Sequence, residues 1–261
     1  MSAVLVAYCL LFVPGATAAV EVNATVGQSV VLPCALVTAA PVDLKKLRFY
    51  WQDEGNYVLY SFNEGKERPE HVNELYRGRI AAFPEHMSGG NVSVKVKNVT
   101  LGDNQKLFQV FAAVFDSGGT RRYSLKHMEI CQIAVHVAVP FKSVRLAVND
   151  ATRAAACTAH TGFPKPLVKW RLQHLFNNSL HLLDQGGVHT TTVQDPKDQL
   201  YSFSSTINIP GGRYESVTCV VDNPTLNVTV TATHVLNTGE AQRSPPGWAV
   251  GLMVAAVVLR A

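Results

Sequence analysis

"CTAHTGFPKPLVKW", residues 157–170, sets a cysteine thirteen residues ahead of a tryptophan, and Cys219 follows further on. Each of the three sits in a run that alternates apolar and polar side chains, as a half-buried strand does. Two cysteines on facing sheets can bridge a β-sandwich, with the Trp170 ring packed on the bridge. Between them, Pro164 and Pro166 fall in the turn that enters the tryptophan strand, where neither has to donate a ladder hydrogen bond.

This cysteine–tryptophan–cysteine order is the pattern of an immunoglobulin sandwich. It assigns residues 141–236 to a constant-type domain bridged by Cys157 and Cys219. The same alternation recurs upstream in "GQSVVLPC", "LRFYW", "NVSVKVKNV" and "CQIAVHVAV", and downstream in "YSFSSTINI", "SVTCVV" and "LNVTVTATHV". Sustained helical periodicity is missing. Residues 20 to about 237 are long enough for two such domains. The fold class is therefore all-β, two tandem immunoglobulin-like sandwiches, with a variable-type domain over 20–139 preceding the constant-type one.

The first half breaks the cysteine rule. Cys34 lies on an early strand and Trp51 follows seventeen residues later, but "LGDNQKLFQVFAAVF", residues 101–115, contains no cysteine. Counting six residues on from Asp103 puts Gln109 where the second thiol is expected. Cys131 lies too far along to belong to that strand and falls on the last one, sharing a face with Ile133, Val135 and Val137. Both thiols point inward, one strand, about 4.8 Å, out of the usual alignment. A disulfide needs α-carbons about 4.4–6.8 Å apart. Three outcomes stand open: a relocated Cys34–Cys131 bridge, two buried thiols, or pairing between molecules.

The ends set the compartment. Residues 1–18 hold an apolar run from Ala3 to Val13 and small residues at Ala16-Thr17-Ala18, the pattern of a cleaved secretory leader that would carry Cys9 away. The four remaining cysteines then meet an oxidising environment. Sequons at Asn23, Asn91, Asn98, Asn177 and Asn227 make N-glycosylation the expected modification. Residues 237–261 read as a polar stalk followed by an apolar run of twelve residues, Trp248 to Leu259, against the roughly 20 of a spanning helix. A lipid-anchor signal, a short membrane anchor and a weak tail on a secreted chain all fit it.

Composition excludes other classes. The net charge of +4 is spread along the chain, which argues against nucleic acid. Nine histidines are scattered without metal-ligand spacing, and no nucleophile-elbow motif occurs, so no catalytic residue, metal or cofactor is expected.

"DLKKLRFYWQ", "NVTLGDNQKLF", "IAVHVAVPF", "GFPKPLVKW" and "NNSLHLLDQ" resemble segments of the T-cell costimulatory ligands of the butyrophilin-like immunoglobulin superfamily, most of all the ICOS-ligand type. The resemblance runs in order through nearly the whole chain between its ends. It implies a cell-surface protein that regulates T-cell activation, with a T-cell receptor of the ICOS type as partner, docked on the front sheet of the first domain. Membrane attachment by the C-terminal segment, and a second copy of the chain as a further partner, belong to the same expectation. Because Trp51 must point inward, alternation sends Arg48, Tyr50 and Gln52 outward. Tyr60 on the next strand, and Phe108 and Val110 beside Gln109, are expected on the same outer face. The alternative is a secreted or lipid-anchored decoy or adhesion protein that blocks such a receptor.

Overall fold

The computed structural model describes residues 19–38, 40–115, 128–237 and 257–259. The expected leader, and the stalk and tail apart from Asn237 and 257–259, lie outside the described residues.

The regular structure of the described chain is mostly antiparallel β-strand, joined by turns, loops and short helical turns. Its first sandwich uses strands β1 (Val20–Thr25), β2 (Val30–Leu32), β3 (Leu47–Asp53), β4 (Val58–Asn63), β5 (Lys66–Glu67), β6 (Ile80–Ala82), β7 (Val94–Val96), β8 (Leu107–Val114) and β9 (Met128–Ala138). They form a six-stranded sheet in the order β1-β9-β8-β3-β4-β5 and a three-stranded sheet in the order β2-β7-β6. The second sandwich uses β10 (Arg145–Asn149), β11 (Ala154–Gly162), β12 (Leu167–His174), β13 (Leu180–Leu182), β14 (Val188–Gln194), β15 (Tyr201–Asn208), β16 (Tyr214–Asn223) and β17 (Val228–Val235). Its sheets run β10-β11-β15-β14 and β13-β12-β16-β17, and a short strand β18 (Val257–Leu259) pairs with Val228–Val230 of β17. By proximity the chain groups into two compact units, one containing Val31–Lys95 and Lys106–Ala134, the other Asn23–Val30, Val96–Gln105 and the described chain from Val135 on.

In the second sandwich the signature residues stand as the sequence predicts. Trp170 faces Cys219 across β12 and β16 and is fully buried; Cys219 is bridged to Cys157 with α-carbons 6.3 Å apart. The buried indole must find an acceptor, because an unpaired N–H in a dry core costs about 1–3 kcal/mol. Ser205 supplies it: Trp170 Nε1 donates to Ser205 Oγ at 2.9 Å, and Thr190 Oγ1 lies 2.8 Å from the same hydroxyl. Leu172, Phe203, Ile207 and Val217 fill the space around them. The Phe163–Pro164 bond in the entering turn is cis.

In the first sandwich Trp51 is equally buried, and its Nε1 donates to the Val92 carbonyl at 2.7 Å. Across β3 and β8, however, Trp51 faces Val110. Val110 therefore holds the position that Cys219 holds in the second sandwich, and Gln109 does not, since it pairs with Gln52 on the opposite face. The count from Asp103 fails because Gln105 turns the chain with a left-handed φ of 61°, and alternation cannot be carried through a turn. Cys131 is the β9 neighbour of Val110. It bridges to Cys34 with α-carbons 6.0 Å apart, so of the three open outcomes the relocated bridge is the one formed.

Asp53 fixes the end of β3. Its side chain is 3% exposed; Oδ1 accepts from the Gly55 and Tyr57 amides at 3.0 and 2.9 Å, shaping the β3–β4 turn. Oδ2 accepts from the Tyr76 hydroxyl at 2.6 Å and has the Lys106 ammonium 3.9 Å away. A carboxylate buried at this depth is tolerated because it is both hydrogen-bonded and charge-paired.

Three outcomes follow. Moving the thiol along its sheet with Val110→Cys plus Cys131→Val should give a new bridge to Cys34, whereas Gln109→Cys plus Cys131→Val should leave free thiols; mapping of non-reduced peptides by mass spectrometry separates them. Cys34→Ala plus Cys131→Ala should lower stability by about 2–4 kcal/mol. Asp53→Ala strands two backbone amides and a buried phenol, and urea denaturation should show a loss of about 3 kcal/mol.

Candidate functional site: the outer face of the front sheet

On β3 the alternation is regular. Leu47, Phe49, Trp51 and Asp53 are buried, Arg48 is exposed, and Tyr50 and Gln52 are half-buried on the outer side. These three expected surface residues stand where the sequence reading put them.

The other three do not. Tyr60 is 6% exposed and faces inward, since it pairs directly with Trp51 across β3 and β4 and cross-strand partners share a face. A bulge between Trp51 and Gln52 shifts the register there, so a simple count along β4 gives the wrong side. Tyr60 belongs to an inner aromatic cluster, its ring centroid 5.6 Å from Phe49, which in turn stacks on Phe62 at 5.4 Å. Its hydroxyl donates to Glu67 Oε1 at 3.0 Å. Burial first, and the Glu67 charge second, push this phenol far above the ordinary tyrosine range, so it stays neutral. Phe108 and Val110 are also buried, because their partners across β3 are Asp53 and Trp51, both inward. Phe108 packs edge-on against Tyr76 at 6.2 Å.

The aromatic residue that does face outward on β8 is Phe111. It pairs with Tyr50, which pairs on its other side with Ser61. The Tyr50 and Phe111 rings stack with centroids 5.3 Å apart and planes 19° from parallel. One row further along, Gln52, Gln109 and Gln132 line up across β3, β8 and β9. Gln52 Nε2 donates to Asn56 Oδ1 at 2.9 Å. On the other side of the stack, Arg48 lies between Asn63 and Ala113. The face is thus an aromatic pair, with Glu129 of β9 paired to Phe111, set between a row of amides and a row that carries Arg48 and Lys66. A signal for Phe111 was present in the sequence: Gln109 is the polar residue of "LFQVFAAV", and placing it outward carries Phe111 with it.

The edges of this face are pinned. Glu54 Oε2 accepts from the Leu107 amide at 2.8 Å, tying the start of β8 to the β3–β4 turn that Asp53 shapes. None of the five sequons lies on β3, β4 or β8; Asn23 sits on β1, two strands from β8. Asn23, Asn98, Asn177 and Asn227 are exposed. Asn91 is half-buried; its Oδ1 accepts from the Ser93 amide at 2.9 Å, and the buried Ser93 hydroxyl donates to the Cys34 carbonyl at 3.2 Å. Among the described residues no group of three or more His, Cys, Asp or Glu is arranged to hold a metal ion, and no helix is long and apolar enough to cross a membrane.

No protein-family model matches the chain. Individual proteins do. Human (Homo sapiens) ICOS ligand is 26% identical over 213 residues, covering 81% of this chain and 68% of that protein. Mouse (Mus musculus) T-lymphocyte activation antigen CD86 is 24% identical over 229 residues, covering 87% of this chain and 70% of its own. Among solved structures, a chain from the crystal structure of ICOS in complex with ICOS-L and an anti ICOS-L VNAR domain superposes with a TM-score of 0.56 at 27% identity, covering 84% of this chain and all (100%) of that one. The homologues of this chain are B7-family and butyrophilin-like immunoglobulin proteins, T-cell costimulatory ligands among them.

Proposed function

We propose that this chain is a cell-surface ligand for a T-cell costimulatory receptor of the ICOS type, and that it docks through the outer face of β3, β4 and β8. The observation that carries the reading is the stacked Tyr50–Phe111 pair on the outer side of that sheet. An aromatic pair held on a rigid sheet offers large apolar area at little entropic cost, and aromatics with arginine are the residues that dominate binding energy at protein interfaces. Arg48, Gln52 and Gln109 around it supply directional hydrogen bonds at the border of such a contact. Relatedness to ICOS ligand supports the choice of receptor class. The chain acts as a ligand from the cell surface, held there by its C-terminal segment. The blocking alternative uses the same face from solution.

The test is binding of the glycosylated ectodomain, residues 19–237, to immobilised ICOS and to other T-cell costimulatory receptors by surface plasmon resonance. Tyr50→Ala and Phe111→Ala should each weaken binding by about 1–2 kcal/mol, roughly 5- to 30-fold, with an unchanged unfolding midpoint. Phe108→Ala should instead lower the midpoint, as a large-to-small change in a core does. A correctly folded ectodomain that ignores ICOS removes the receptor assignment. Recovery of the full-length protein only from the medium, never from washed cells, favours the blocking role.

A further inference from the structure

The seven residues 176–182 in the second sandwich carry an unusual concentration of exposed apolar side chains: Phe176 is 71% exposed, Leu180 62% and Leu182 56%. Leu180 and Leu182 lie on β13, the outermost strand of its sheet, and pair with Gln173 and Arg171 of β12, so both leucines stand on one face. Phe176 sits at the tip of the β12–β13 hairpin with the Arg213 guanidinium 5.3 Å from its ring centre. An apolar patch at an open sheet edge is an aggregation hazard unless something covers it.

The same hairpin holds a sequon, Asn177-Asn178-Ser179. Asn177 is exposed, and its Oδ1 accepts from both the amide and the hydroxyl of Ser179, at 3.0 and 2.8 Å. Both bonds use the oxygen. They hold the side chain in one orientation without engaging Nδ2, the atom to which an N-linked sugar is joined. From Asn177, Leu180 is about 10 Å along the chain at most and Leu182 about 17 Å, at an extended rise of some 3.4 Å per residue.

We propose that the glycan on Asn177 is a structural element that folds back from the hairpin tip and covers Phe176, Leu180 and Leu182. The C–H faces of its first N-acetylglucosamine residues are the chemistry that suits this patch, since they stack on aromatic rings and on leucine methyls while their hydroxyls remain in water. A second copy of the chain fits less well. Two leucines on a three-residue strand and one phenylalanine at its hairpin tip expose a few hundred Å² at most. A stable protein interface buries about 800 Å² per partner. Asn227 provides the contrast: it is exposed on the β16–β17 turn, and none of the strongly exposed apolar side chains lies within five residues of it.

The experiment uses the ectodomain secreted from glycosylating cells. Glycopeptide mass spectrometry should find Asn177 occupied. Asn177→Gln and Ser179→Ala, two different ways of removing the sequon, should each raise the fluorescence of a hydrophobic dye several-fold and promote self-association, while Asn227→Gln should do neither. Adding Phe176→Ser, Leu180→Ser and Leu182→Ser to Asn177→Gln should return the dye signal to the wild-type level. Enzymatic trimming of the sugars from already folded wild-type protein should reproduce the rise, and trimming of folded Asn177→Gln protein should add nothing to it, which keeps the outcome independent of folding in the cell and specific to Asn177. An unoccupied Asn177, an Asn177→Gln protein that binds dye as wild type does, or a glycosylated wild type that already dimerises through the leucines would each overturn the proposal.

Discussion

Trp51 faces Val110 across β3 and β8, and this one pairing decides what each side of the front sheet presents. A one-residue slip in a strand sends every side chain to the other face. With Trp51 and Val110 as partners, Phe108, Val110 and Ala112 fill the core, and Gln109, Phe111 and Ala113 face out. The indole is held by packing and by its bond to the Val92 carbonyl, so the pairing has an anchor on each sheet. The outer surface available to a partner is therefore a by-product of how the inner one packs.

The relocated disulfide follows from the same constraint. In the second sandwich, tryptophan faces a cysteine across two strands; in the first, it faces a valine, and the thiol stands on the next strand, at the residue paired with that valine. The bridge still ties the two sheets, and it closes a loop of 97 residues against 62 in the second sandwich. On a chain-entropy account the longer loop constrains the unfolded state slightly more, since the effect grows only with the logarithm of loop length. Moving the bridge by one strand thus costs little of its benefit. What it changes is the ladder: Cys131 ties β9 directly to the opposite sheet, and β8 is held through its strand neighbours instead.

The degree to which the sequence revealed this molecule depended on whether a reading ran within one strand or across a turn. The Cys157–Trp170–Cys219 pattern placed the second core correctly because each residue lies inside a regular strand with a partner of known type. Arg48, Tyr50 and Gln52 were legible for the same reason, being counted from Trp51 along β3 itself. Phe108 and Val110 were misplaced where the count crossed the turn at Gln105, and Tyr60 because the sequence does not fix the register of β4 against β3, which shifts next to it at a bulge. Nothing local in the sequence marks the bulge. Asp53 and its turn network were missed because a buried carboxylate is visible only once Tyr76 and Lys106, distant in sequence, are brought to it.

The front face that results is amide-rich on one side of its aromatic pair and carries Arg48 and, across Asn63, Lys66 on the other. A row of three glutamines cannot steer a partner over long range, as clustered charge does. It can reward correct register, because each amide carries both donors and an acceptor. Aromatic stacking alone tolerates sliding; the amide row does not. In the proposed complex, Tyr50 and Phe111 would offer the area for affinity, and Gln52, Gln109 and Gln132 the means of discrimination. If the chain docks as proposed, substituting Gln52, Gln109 and Gln132 should change which receptor of a costimulatory panel it binds more than how tightly it holds the accepted one, as read by surface plasmon resonance.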